Sequence, residues 1–293
     1  MVDYKLIKLE NERSTHLTKR LNRLSGWQFF KVLYRDSMGK MMLSNFLLLL
    51  ALTPLAVAVV YFYVQINNAL HALPYYNTLG SGNGIWTGVY EHFQTVQANY
   101  VDQGLLWGLL AFLGVSLIFS GGFGIIRDSF WTGKIKIFKP FASGFKGGIL
   151  YALATSAIIG GGIYGIVVFC LKSNLKLWLI ITLAILMALV LLVVACYLFI
   201  LCSVAVTYKQ SFAQNVKDSW RLLWLNPAPN FIHEIIMLLP LPLVYFAMSA
   251  GQLLMFVVYM FVFFIGAFYL AFVWQTHMMK TFALFHPVAG TKK

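Results

Sequence analysis

Inside the apolar runs of this sequence only two ionisable residues occur, His233 and Glu234. Ionisable groups in such runs are costly to bury, so they are first candidates for ion paths, proton relays or ligand sites. Both follow the stretch Asn226-Pro227-Ala228-Pro229-Asn230. Asn230 is therefore expected to cap a helix whose first turn carries the pair, where the helix dipole favours a carboxylate. Two chemistries stay open: structural capping, and a proton or cation site. The pair is not a zinc-protease signature, because Met237 stands where HExxH needs its second His.

A second group is aromatic. Trp86, Tyr90 and Glu91 lie in a long polar segment together with Tyr75, Tyr76, Phe93, Tyr100, His71, His92 and Asp102. Aromatic faces beside a carboxylate can stack on a sugar ring and bond its hydroxyls; the alternative is an interfacial helix with its rings among lipid headgroups. The third group is glycine. Gly161 and Gly165, and likewise Gly104 and Gly108, form GxxxG pairs that let helices pack closely within the chain or across a dimer. No Walker A sequence, no G-x-S-x-G elbow and no paired Cys or His ligands occur. No catalytic, cofactor-binding or metal-ligating residue is assigned, and a non-enzymatic protein is expected. Cys170, Cys196 and Cys202 all lie in apolar runs and read as small hydrophobes.

The elements that hold these groups follow from composition. Of 293 residues, 60% are hydrophobic and 11% charged, against about 25% charged in soluble domains. Mean hydropathy is +0.77. These values exclude a soluble globule, a disordered chain and a disulfide scaffold. About 20 apolar residues cross a bilayer as a helix, and six runs qualify: residues 41–66, 104–126, 147–171, 177–208, 231–250 and 253–274. The fifth, broken by Pro240 and Pro242, would also fit a hairpin that re-enters from the cytoplasm.

Charge orients these spans. Residues 1–40 hold nine Lys and Arg, 127–146 five, 209–230 three and the tail three, while 67–103 hold none and 172–176 two. Cytoplasmic segments carry the excess, so both termini are expected inside, with residues 67–103 as an outer segment. The net charge of +13 then reads as attraction to anionic lipid, not nucleic acid. All eight Trp fall near expected span ends, at the headgroup level they favour.

Two amphipathic elements lie on the cytoplasmic side of this map. In the basic region 1–40, Leu17, Leu21 and Leu24 recur at helical spacing and Trp27, Phe30 and Tyr34 continue the stripe. After the fourth span, Ser211 is placed to cap a helix with Phe212, Val216, Trp220 and Leu223 on its apolar face and Lys217, Asp218 and Arg221 opposite. Phe212, Val216 and Trp220 are the candidate partner or membrane surface.

The segments Leu33 to Val57 (LYRDSMGKMMLSNFLLLLALTPLAV) and Phe138 to Gly162 (FKPFASGFKGGILYALATSAIIGGG) each lead a basic juxtamembrane stretch into a span. With Phe212 to Pro227, they make the chain resemble the YesL-like family of bacterial integral membrane proteins. The resemblance implies an association with carbohydrate uptake systems, often beside ABC transporters, and supplies no catalytic residue. The longer N-terminal region and first outer segment depart from it.

The expectation is an all-α polytopic transmembrane helical bundle of about six spans, residues 41–275, with cytoplasmic interfacial helices and a cytoplasmic tail at 276–293. It would sit in the plasma membrane as an accessory or regulatory component of a transport system, probable cargo carbohydrate, or alternatively act as an autonomous small-solute transporter. Expected partners are the lipid bilayer, an ABC transporter or other membrane protein, and a second copy in a homo-oligomer; no cofactor is expected.

Overall fold

A computed structural model describes residues 25–71, 116–173, 175–208, 210–239, 257 and 260–285 of the chain. The described residues are helical with no strand. Helix α1 runs Gly26–His71 with a kink at Ser37. Helix α2 opens with a π-helical turn, Ile118–Gly122, and continues as Phe123–Thr132. Then come α3 (Phe138–Lys172), α4 (Leu177–Thr207), α5 (Phe212–Leu225) and α6 (Pro227–Leu238). Helix α7 spans Ala267–Phe285 after a second π-helical turn, Val262–Gly266.

The helix ends have local causes. Ser25 and Gln28 form a reciprocal capping box at the start of α1, with Ser25 N–H donating to Gln28 Oε1 (2.9 Å) and Gln28 N–H to Ser25 Oγ (3.1 Å). Helix α2 stops at Gly133, whose φ of 68° is the left-handed conformation that glycine adopts without strain. Pro140 in the first turn of α3, and Pro227 and Pro229 in that of α6, lack an N–H where none would be bonded within the helix. Ser211 caps α5 as expected, its Oγ accepting from Gln214 N–H at 3.4 Å.

Helices α3 and α4 pair along much of their length, and α2 packs into the first half of α3. Helix α7 lies against α1, α2 and α6, while α5 rests on α4. An aromatic cluster ties these together: Phe29 of α1 meets Phe130 of α2 at 5.5 Å and Phe272 of α7 at 5.6 Å, and Phe199 of α4 meets Phe119 and Trp274.

Two helices are long and apolar enough to cross a membrane, Phe138–Cys170 and Leu177–Thr207. At 1.5 Å per residue, each is about 45–50 Å long, beyond the ~30 Å hydrocarbon layer. The run expected at 41–66 is helical throughout within α1. Those at 104–126, 231–250 and 253–274 lie partly outside the described residues, as do residues 1–24, nearly all of the outer segment and the end of the tail.

Several expected boundaries shift. Helix α3 starts at Phe138, before residue 147, because the Phe/Lys stretch continues the same helix. The expected tail at 276–293 begins inside α7, where Thr276, His277, Met278, Met279 and Phe282 are buried. In α1 the stripe Trp27–Phe30–Tyr34 stacks on itself with Trp27 and Tyr34 exposed, and the neighbouring Phe29 and Leu33 enter the core instead.

Candidate functional site

Polar residues gather where α4, α6 and α7 meet. Asn230 sits in the first turn of α6, fully buried. The expected cap at this residue is not formed: the helix starts three residues earlier, at Pro227, whose fixed φ suits a first helical position. Asn230 instead closes the preceding helix. Its Nδ2 donates to the carbonyls of Leu222 (3.1 Å) and Leu223 (3.5 Å) in the last turn of α5, which α5 leaves without intrahelical partners. Those two acceptors orient the amide, so Oδ1 faces His277 of α7 and accepts from its Nε2–H at 2.8 Å.

His277 stacks face to face on His233 at 3.9 Å, and Trp274 meets its ring edge-on. Two stacked imidazoles tolerate two positive charges poorly. Burial above all, then the neighbouring His233 and Lys280, lowers the His277 pKa from 6.5 to about 3, leaving it neutral. His233 Nδ1 bonds the carbonyl of Pro229 at 2.8 Å, one turn back on its own helix. The Trp274 indole donates to Phe199 O (3.2 Å) and Ser203 Oγ (3.0 Å) of α4, and Gln275 Nε2 to Thr207 Oγ1 (3.2 Å).

Glu234 lies one turn beyond Asn230 on the same face of α6. It is fully buried beside Cys196 of α4, and neither carboxylate oxygen has a hydrogen-bond partner. Of the two ionisable residues singled out from sequence, Glu234 thus points inward and His233 is half-buried in the ring stack. His277, Trp274 and Gln275 were missed. Their signal is the polar run Trp274-Gln275-Thr276-His277, across which the expected boundary between the transmembrane domain (to 275) and the tail (from 276) falls. Among the described residues no three of His, Cys, Asp and Glu gather as a metal-ligand group.

The glycine expectation needs correction. A Cβ at Gly161 or Gly165 would meet nothing within 4 Å, so among the described residues no helix packs there. The close approach is at the other end of α3. A Cβ at Gly144 would lie 2.5 Å from Ser120 O and 2.7 Å from Gly124 Cα, both backbone atoms of α2. A Cβ at Gly121 or Gly148 would run into Phe141 or Val206 respectively. Gly144 and Gly148 are themselves a GxxxG pair, and within the chain it is this pair that a neighbouring helix approaches. Gly104 and Gly108 lie outside the described residues.

Arg127, at the cytoplasmic end expected for α2, locks this region. Its guanidinium donates to Val206 O in the last turn of α4 and to Ser143 Oγ of α3 (3.2 Å), placing a cation at a helix C-terminus. Beside it, burial raises the Asp128 pKa against the opposing pull of Lys136, Arg127 and Lys139.

Helix α5 leaves most of the expected partner or membrane stripe open and buries Asp218, expected on the opposite face. Asn215, Asp218, Ser219, Leu222 and Leu223 are buried, whereas Phe212 (67%) and Trp220 (55%) are exposed and Val216 is half-buried. Asp218, expected outside, is held inward by Gln214 Nε2 at 2.8 Å, and Asn215 Nδ2 reaches Tyr151 Oη at 2.9 Å. Phe212, Trp220, Trp224 and Leu225 form an uncovered aromatic edge, propped by Tyr151 and Tyr197 of α3 and α4. Trp86, Tyr90 and Glu91 lie outside the described residues. No protein-family model, curated protein or solved structure matches the chain.

Proposed function

We propose that the chain is a polytopic helical protein of the plasma membrane with both termini cytoplasmic, serving as a non-enzymatic accessory or regulatory component of a solute transport system. The membrane reading is supported by the distribution of side chains. Only 22% of the most apolar window of Phe138–Cys170 and 11% of that of Leu177–Thr207 is buried, whereas a soluble core helix of such composition would be mostly buried. Ile232, Ile235, Ile236 and Leu239 of α6 face outward while Asn230 and Glu234 face inward. Polar groups inside and apolar groups outside suit a lipid surround.

The accessory reading is carried by one observation: the aromatic edge Phe212, Trp220, Trp224 of α5 is left uncovered on a helix that directly follows the membrane-length α4. Exposed aromatic clusters beside cations (here Lys217 and Arg221) are the composition of protein contact surfaces. The resemblance to YesL-like proteins supports a carbohydrate system and an ABC-type partner. Replacing Phe212 and Trp220 with Ser is expected to abolish co-purification of a transporter subunit while leaving membrane insertion intact; retained co-purification would refute the docking role.

A second reading, an autonomous small-solute carrier, is favoured by the buried Glu234. It requires uptake into liposomes by the purified protein alone, weakened by Glu234→Gln. Absence of uptake would remove it.

A further inference from the structure

Glu234 is the one carboxylate among the described residues that is fully buried with both oxygens unpartnered. An isolated ionised carboxylate in an apolar interior carries a large penalty unless a positive charge accompanies it. The neighbours identified around it are the Cys196 thiol from α4 and the Asn230 amide one turn away, which is already spent on Leu222, Leu223 and His277.

We propose that Glu234 and its surroundings form a binding site for one small monovalent cation, a proton or an alkali metal ion. One carboxylate matches one positive charge, and the neighbour identified on α4, the Cys196 thiol, brings none. The titratable groups on the elements packed around it are Cys196 of α4, His233 on α6 itself, and His277 with Lys280 on α7. Of these, His277 is tied to Asn230 through Nε2 and His233 to Pro229 O through Nδ1. Glu234 directly follows His233 of the His233–His277 stack and lies one turn beyond Asn230 on α6. The site holds under either functional reading, since it makes no use of the α5 edge and does not require solute uptake.

The test uses the full chain in lipid nanodiscs and needs no variant for its first arm. The wild-type protein is treated with dicyclohexylcarbodiimide, which modifies buried protonated carboxyls, and the labelled peptide is identified by mass spectrometry. Labelling of Glu234 that declines as pH rises identifies the proton. Labelling suppressed by sodium or potassium chloride but not by N-methylglucamine chloride at equal ionic strength, with a matching rise in Tm, identifies an alkali ion. Glu234→Gln is expected to lose the label and any ion-dependent Tm shift. The proposal is overturned if Glu234 is unlabelled across pH and Tm is indifferent to the cation, or if Glu234→Gln keeps the ion response.

Discussion

Gly144→Ala gives the sharpest contrast with the sequence-based expectation. The added methyl would sit 2.5 Å from Ser120 O and 2.7 Å from Gly124 Cα, and backbone atoms of a packed helix cannot rotate away as a side-chain tip can. Helices α2 and α3 must separate locally. Overpacking of this kind costs about 1–3 kcal/mol, and parting the helices also loosens Arg127, which bonds Ser143 next door. Gly161→Ala meets open space, so only the helix-propensity gain of Ala over Gly remains, up to about 1 kcal/mol. The propensity gain is common to both substitutions, between four and five turns apart on one helix, so they should differ by the overpacking cost of about 1–3 kcal/mol. Equilibrium unfolding of both variants in a mixed-micelle SDS titration measures this directly. Equal stability of Gly144→Ala and wild type would refute the close approach of α2 and α3. A loss in Gly161→Ala equal to that in Gly144→Ala would show a partner helix at Gly161, as a dimer face requires.

Further outcomes follow from the polar cluster. Asn230→Leu strands two buried carbonyls and His277, each worth roughly 1–3 kcal/mol when left unsatisfied, and should lower stability by at least about 3 kcal/mol in the same titration. His277 is neutral in the folded state with its pKa lowered to about 3 from 6.5. The unfolded chain therefore binds the extra proton between those values, and stability is full above 6.5 and falls as pH drops toward 3, by at most about 1.4 kcal/mol per unit. His277→Gln should flatten that slope; an unchanged slope would place the titration elsewhere. Cys170 is exposed, whereas Cys196 and Cys202 are buried, so a membrane-impermeant maleimide added to intact cells should label Cys170 alone. Labelling only after permeabilisation would invert the orientation.

How much of this was legible beforehand depends on what each feature rests on. The C-terminal end of α3 and both ends of α4 were legible almost to the residue, because Lys172, Lys176 and Lys209 interrupt apolar runs where the chain must leave a hydrocarbon layer. The Ser211 cap was legible for a similarly local reason: its hydroxyl serves an N–H three residues on. Register between helices was not. Gly161-x-x-x-Gly165 and Gly144-x-x-x-Gly148 carry the same spacing, and only the position of α2 decides that the second is used. On α5 the stripe expected as a partner or membrane surface leaves Phe212 and Trp220 exposed, but nothing local announces that Asp218 and Asn215 find partners inside. Asn45 shows the same limit. Its Oδ1 accepts the Phe268 N–H at 2.9 Å, just after the π-helical turn Val262–Gly266 puts the α7 ladder out of step, and nothing local in residues 40–50 announces that distant partner.

The accessory role stands or falls on what accompanies the protein in its own membrane. Wild-type chain and the Phe212→Ser, Trp220→Ser variant should be purified side by side in mild detergent from the native host, with near-stoichiometric companions identified by mass spectrometry. The account predicts a permease or transport ATPase with the wild type and its loss with the variant, at equal membrane yield. Recovery of the wild-type chain alone, or only with copies of itself, would contradict it.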